Sequence, residues 1–368
     1  MICVLISGFL QLFAQEYITL QPSDEAWMDS ILQEHLTASK LPGMAIGIVG
    51  NGQILYAKGF GTKKLGTEDP VTAQSNFHMA SVSKTFVATG VAQLVKQGEI
   101  QLDDPVTKYL PYFKLRDPRY KEITIQQLIT HTSGVPDAHG YHWGRPKHDP
   151  SALENYVRRL KKRGLNFAPG TKFKYSNNGF EVLGDVIAKA SGMSFEDYMK
   201  KHILKPIGMD NSSFIRKEIS PALATTPHVK RLKRKVSKIY PYNREHGPSS
   251  TLNSNVEDML KYAITYLNQG SFNGVSVFDT ATYQLITKEH RDISDSFHIG
   301  LSWFMNPSRW NKEWKMYHHS GEDTGYQSFL GIIPEKSWAI VILYNADWNV
   351  SNRRAVFKAA YELAEKYE

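Results

Sequence analysis

The sequence predicts an α/β fold of the α+β kind: a central antiparallel sheet assembled from both chain ends, flanked by helices, with a mostly helical lobe inserted between its two halves. Strand-like apolar stretches bounded by turn residues cluster near the start of the chain and return in roughly its last seventy residues. Between them, from Phe77 to about His290, apolar residues recur at helical spacing and Pro and Gly punctuate the loops. No internal repeat, low-complexity linker, G-x-G-x-x-G or P-loop interrupts this order. The expected organisation is therefore one domain over 16–368, with a sheet lobe of 16–75 plus 295–368 and a helical lobe of 76–294.

Taken in order, Pro22-Ser23-Asp24-Glu25 supplies a cap and acidic first turn for a helix with Trp27, Met28, Ile31, Leu32 and Leu36 on one side. Met44 to Val49 and Gln53 to Phe60 flank Gly50-Asn51-Gly52 as a hairpin. Val82, Phe86, Val87, Val91, Leu94 and Val95 predict a central helix that stops near Gly98. Helices are expected over Phe180 to Ala190, over most of Met193 to Phe214 with a break near Pro206, and over Val256 to Leu267. The closing strands are read as Phe297 to Phe304, Trp314 to His318, Tyr326 to Ile333 and Trp338 to Tyr344, followed by a helix over Ser351 to Lys366.

Composition sets the class. With 368 residues, 41% hydrophobic and 22% charged, the chain has material for a large core and is not disordered. A formal charge of +8 permits an anionic partner. The basic residues concentrate in two runs, Arg158, Arg159, Lys161, Lys162 and Arg163, then Lys230, Arg231, Lys233, Arg234, Lys235 and Lys238. These fit solvated faces or attraction to an anionic envelope surface, and no zinc-finger or RNA-recognition signature makes them a nucleic-acid site. The short apolar stretch Met1 to Ala14, too short for a stable membrane span, reads as an export signal occupying 1–15. It contains Cys3, the one cysteine, so a processed chain in the periplasm or outside the cell has no disulfide, thiolate nucleophile or cysteine-bound zinc. The loop holding His139, His142 and His148 lacks H-E-x-x-H or paired carboxylates at ligand spacing, and is expected to form an aromatic rim over a cleft rather than a metal site. No metal or cofactor is expected.

Ser81 and Lys84 lie three residues apart at the opening of the central helix, so hydroxyl and amine share a face. The pair is either a nucleophile beside a base or an N-cap followed by a surface lysine. Two further groups decide the reading: Tyr175-Ser176-Asn177, and His319-Ser320-Gly321 followed by Gly325-Tyr326. In this order the three groups resemble the serine β-lactamase and penicillin-binding protein superfamily, in its class C, D-alanyl-D-alanine carboxypeptidase and esterase branch. Leu128 to Gly134, Pro169-Gly170-Thr171 and Gly247 to Thr251 are similar to the family's supporting phrases, and the similarity runs from about Ser23 to the end.

The resemblance implies a β-lactamase-like catalytic domain acting through an acyl-enzyme. Ser81 would be the nucleophile, and Lys84 and Tyr175 would share acid and base work. Asn177 would bond the substrate carbonyl and steady Lys84. The backbone N–H groups of Ser81 and Glu322 would form the oxyanion hole. Lys84 needs burial or a neighbouring cation to lower its pKa, and Tyr175 needs a cation to approach phenolate. Two departures bear on substrate. His319 and Ser320 replace the lysine and threonine of the lysine-threonine-glycine element, which weakens carboxylate recognition and β-lactam hydrolysis. Glu322 either points outward or, pointing inward, favours an ammonium group. The resemblance implies a small ester, amide or D-amino-acid peptide as substrate, with a β-lactamase or D-Ala-D-Ala carboxypeptidase, and a non-catalytic envelope-binding protein, as the alternatives.

Overall fold

The structure is a computed structural model that describes residues 18–230, 233–347 and 353–368. The stretch read as an export signal, with Cys3, and also Arg231 and the expected start of the terminal helix at Ser351, lie outside the described residues. No helix among the described residues is long and apolar enough to cross a membrane.

One eight-stranded sheet joins the two ends of the chain. Its strands are β1 (Gly43–Gly50), β2 (Gln53–Gly61), β3 (Arg291–Ser294), β4 (Phe297–Ile299), β5 (Phe304–Pro307), β6 (Lys315–Asp323), β7 (Tyr326–Ile333) and β8 (Trp338–Tyr344). The spatial order is β2-β1-β8-β7-β6-β5-β4-β3, and each neighbouring pair is antiparallel. Three expectations shift here. The stretch read as one strand over Phe297 to Phe304 is two strands, because the chain reverses at Gly300 and Ser302 takes a φ of +67°. The strand β3 lies before 295, inside the expected helical lobe, since it pairs with β4 at the sheet edge. The strand expected to end at His318 runs on to Asp323, carrying the His319-Ser320-Gly321 group within the sheet.

Five longer helices matter for the site: α1 (Pro22–Ala38), α2 (Ser83–Lys96), α3 (Asn177–Ser191), α4 (Val256–Leu267) and α5 (Arg353–Lys366). The first starts at Pro22, with Gln21 as its N-cap and no side-chain cap, so Ser23 is not the cap that its residue type suggested. In contrast α3 ends where Gly192, with φ +69°, can take the left-handed cap.

The centre of the sheet, at β1 and β8, is buried on both faces, which is why β8 reads as a continuous apolar run. Its alternate residues sort the core: Ile340, Ile342 and Tyr344 pack with Met28, Leu32, Val356 and Ala360 of α1 and α5, whereas Ala339, Val341 and Leu343 join the larger core that contains α2 and α4. The neighbouring β1 obeys the same parity. A Cβ on Gly47 would lie 2.5 Å from Val256 Cγ1 and 2.6 Å from Leu260 Cδ1, so glycine sets how closely α4 approaches the sheet. Substituting Gly47→Val is expected to cost about 1–3 kcal/mol through overpacking, read as a lower urea midpoint with an unchanged denaturant slope.

Candidate active site

The Ser81 turn lies between the sheet and the helical lobe. It belongs to a short 3₁₀ segment, Ala80–Val82, that runs directly into α2. Ala80 has a φ of +46°, a left-handed conformation that costs an alanine free energy and is held by its surroundings. On one side the Met79 N–H donates to the Leu252 carbonyl, at 2.8 Å. On the other, Ser328 Oγ of β7 donates to the Met79 carbonyl, at 2.6 Å. The result presents Ser81, partly exposed, at the edge of a lobe that is otherwise buried.

Lys84 is fully buried, its ammonium stem enclosed by α2, α3 and the Gly247–Ser250 helical turn. Nζ donates to Ser81 Oγ at 2.9 Å and to the Ser249 carbonyl at 2.7 Å. Loss of water pulls its pKa down to about 7, and the carboxylates of Glu181, Asp323 and Asp137 limit the fall. An amine that is largely neutral slightly above pH 7 and bonded to a serine hydroxyl has the geometry and proton affinity of a general base.

Tyr175 stands beside this pair. Its hydroxyl shares a hydrogen bond with Ser81, its ring centroid is 5.1 Å from Lys84 Nζ, and the ring stacks on His131 at 4.2 Å. Burial raises the phenol's pKa well above its ordinary value, the Ser81 hydrogen bond lowers it by less, and the nearby carboxylates push it further up. A phenol held protonated can donate a proton, and Lys84 is the neighbouring group whose proton affinity lies near neutrality.

The β6 strand closes the opposite wall. His319 is buried and faces the Ser81 side, with its ring 6.5 Å from that of Tyr175. His319 Nδ1 lies 2.7 Å from the Ser320 carbonyl, so Nδ1 carries the proton and Nε2 is an unprotonated acceptor, buried and without a partner. Burial and the Lys84 charge hold its pKa down to about 3, so the ring is uncharged at neutral pH. Two residues on, Gly321 abuts the Ser81 turn: a Cβ there would fall 2.3 Å from the Met79 carbonyl and 2.9 Å from the Ser81 nitrogen. Ser320 and Glu322, on the other face of the pleat, are exposed. Glu322 thus adjoins the cleft through its backbone, and its side chain points outward.

Asn177 opens α3 beneath the Ser176 N-cap, and its own N–H donates to Asp137 Oδ1 at 2.8 Å. Its Oδ1 is buried without a partner, and Lys84 is held by Ser81 and Ser249 rather than by Asn177. The irregular loop before 150 does form a rim. Tyr141 and Trp143 stack at 4.5 Å, and Tyr141 reaches Ser249 Oγ at 3.1 Å. His139, His142 and His148 are exposed, and His148 stacks on Tyr242. In the first basic run Arg158 and Arg159 are ion-paired to Glu154 and Glu245.

Three groups escaped the reading by motif. His131 lay inside a supporting phrase; its Nδ1 accepts from the Ser176 N–H at 3.1 Å, fixing the loop beneath Tyr175. Glu181, one helical turn after Asn177 on α3, takes the Ser249 hydroxyl at 2.6 Å and His246 Nδ1 at 2.9 Å, and so anchors the carbonyl that holds Lys84. Asp323 follows Gly321 by two residues and shares its face; strand parity was the signal that could have found it.

Such a constellation sets a serine hydroxyl against a buried amine, with a phenol and an uncharged imidazole beside them. The chain belongs to the Beta-lactamase family, whose model matches residues 28–365, and is thereby placed among the serine hydrolases that include the penicillin-binding proteins. It is 28% identical over 330 residues to penicillin-binding protein 4* of Bacillus subtilis strain 168, covering 84% of this chain and 69% of that protein. It is 26% identical over 326 residues to protein flp of Staphylococcus aureus strain MW2, covering 86% of this chain but 62%, less than two thirds, of that relative. Among solved structures, the octameric penicillin-binding protein homologue from Pyrococcus abyssi superposes with a TM-score of 0.77 at 28% identity, over 93% of this chain and 77% of that one. The penicillin binding protein from Bacillus halodurans shares the fold, with a TM-score of 0.76 at 22% identity over 91% and 99% of the two chains.

The packing at Gly321 makes a sharp test. Gly321→Ala is expected to move β6 off the Ser81 turn and lower kcat on any substrate that is turned over by about 10²-fold, the magnitude of losing one oxyanion donor, while the melting temperature falls by only a few degrees. An unaffected kcat would remove β6 from the site.

Proposed function

We propose that the chain is a hydrolase that cleaves a small ester, amide or D-amino-acid peptide through an acyl-enzyme on Ser81. The observation that carries this is the 2.9 Å bond from a fully buried Lys84 amine, its pKa drawn down to about 7, to the Ser81 hydroxyl. In the acylation step Ser81 Oγ bonds to the substrate carbonyl carbon and its proton passes to neutral Lys84. The oxyanion is taken by the N–H groups of Ser81 and Glu322. As the carbonyl's bond to the leaving oxygen or nitrogen breaks, the Tyr175 hydroxyl gives that atom its proton and is reprotonated from Lys84. Water then attacks the acyl-enzyme, giving a proton back along the same groups and releasing the acid and free Ser81.

Substrate choice turns on His319. A β-lactam or a D-alanyl-D-alanine terminus carries a carboxylate, and the neutral imidazole standing in the lysine position supplies no charge for it. On one preparation, kcat/KM is expected to fall from short-chain nitrophenyl esters through D-alanyl peptides to a chromogenic cephalosporin. A cephalosporin rate above the ester rate would overturn this order. A fluorophosphonate is expected to label Ser81 and to leave Ser81→Ala unmodified; equal labelling of that variant would sink the acyl-enzyme itself.

The base assignment has its own signature. Lys84 must be neutral to act, so kcat/KM for a neutral ester is expected to rise with pH to a plateau above about 7 and to drop about tenfold per unit well below it. Lys84→Met is expected to lose at least 10³-fold in rate, within the range of combined base and nucleophile-activation effects, yet to melt at an equal or higher temperature at pH 6, where wild type must bury a charge. A lower melting temperature would mean that the amine stabilises the fold.

A further inference from the structure

The walls of the cleft are poor in positive charge. The charged groups whose fields reach Lys84 are Glu181 of α3, Asp323 of β6 and Asp137 of the loop before the rim, and the same three act on Tyr175. The two imidazoles nearest Tyr175, His131 and His319, have burial as the main force holding them uncharged. Glu181 is occupied by Ser249 and His246. Asp137 uses Oδ1 for the N–H groups of Ala138 and Asn177.

Asp323 differs in position. It sits on the face of β6 that also carries His319 and Gly321, and its side chain retains 10% exposure. Its Oδ2 accepts from Ser250 Oγ at 2.5 Å and from His78 Nε2 at 2.9 Å, both partners buried, so the carboxylate is held firmly while Oδ1 is left for a ligand. Tyr141, in the field of Asp323, and Trp143, 6.3 Å from His78, bring aromatic surface to the same end of the cleft. Two further buried atoms of the walls are acceptors without partners, His319 Nε2, on a residue only 2% exposed, and Asn177 Oδ1, whereas His131 Nε2, which carries that ring's proton, is a donor. Acceptors beside aromatic rings suit a primary ammonium, and they repel a carboxylate.

The strand also fixes which part of a substrate meets Asp323. His319, its ring 6.5 Å from that of Tyr175, precedes Gly321 on the strand, so a leaving group that takes its proton from Tyr175 lies toward that end. Asp323 lies on the other side, about 6.6 Å along the strand from Gly321, where the acyl part remains. We propose that Asp323 makes the acyl side of this cleft an ammonium subsite, so that the preferred acyl donor is an aminoacyl compound with its free amine a few bonds from the scissile carbonyl. This rests on the acyl-enzyme reading above and narrows its substrate class.

Paired phosphonates test it without presupposing a leaving group. Diphenyl 1-aminoethylphosphonate and its N-acetyl derivative both phosphonylate a serine: the Ser81 Oγ–P bond forms, one P–O bond to phenoxide breaks, and phenol departs with the serine proton. The free amine is expected to label wild-type Ser81 at least tenfold faster than the acetylated probe. Asp323→Asn is expected to bring the ratio close to one, and Asp323→Glu to keep most of it. A wild-type ratio at or below one overturns the proposal, whether or not any variant folds. So does an undiminished ratio in folded Asp323→Asn, or a preference abolished by Asp137→Asn alone. If neither phosphonate nor a fluorophosphonate labels Ser81, the acyl-enzyme reading itself falls and takes the subsite with it; fluorophosphonate labelling with no amine preference removes the subsite only.

Discussion

The structure depends on one constraint, that an amine be kept out of water beside a serine. A lysine in a closed core loses hydration that only good hydrogen bonds and nearby negative charge offset. Lys84 obtains two bonds, to Ser81 and to the Ser249 carbonyl, and the fields of three carboxylates. The compromise leaves its proton affinity near neutrality. Much of the lobe can be understood as what holds that compromise in place.

The Ser249 carbonyl is aimed by a buried assembly. Its residue donates Oγ–H and N–H to Glu181, which is itself bonded to His246, and the Tyr141 hydroxyl reaches the same Oγ. The Gly247–Ser250 turn lies against α3 at Gly184, where a Cβ would come within 2.0 Å of Pro248 Cγ. On the sheet side, Ser328 and Gly321 seat the strained Ala80 turn. Strain and buried polarity of this kind are stability given up for a working geometry.

Much of this was legible in the residues. The apolar runs over Tyr326 to Ile333 and Trp338 to Tyr344 match β7 and β8, and Val256 to Leu267 matches α4, because each is long, apolar and bounded by turn residues. The edge strands were not, since β3, β4 and β5 have three or four residues each and are half exposed, so their pairing with neighbours, not their own pattern, defines them. At the site, Ser81, Lys84, Tyr175 and His319 were named from ordered motifs, and the fold brings them together. Glu181, His131 and Asp323 were missed because single acidic residues and histidines carry no signal until the chain brings them to the motif.

By itself, then, the sequence determined the class of fold, the order of the three groups and the identity of the amine beside Ser81, because spacing along a helix or strand is a local property. Only the tertiary structure decided the chemistry of those groups. Whether Lys84 can act as a base depends on burial by elements distant in the chain, and whether Tyr175 is phenol or phenolate depends on its own burial and, to a lesser degree, on the carboxylates that end up around it. Which carboxylate of the Glu322-Asp323 pair faces the cleft depends on the parity of the β6 pleat against Ser81, and register is settled by pairing with β5 and β7 rather than by any residue alone.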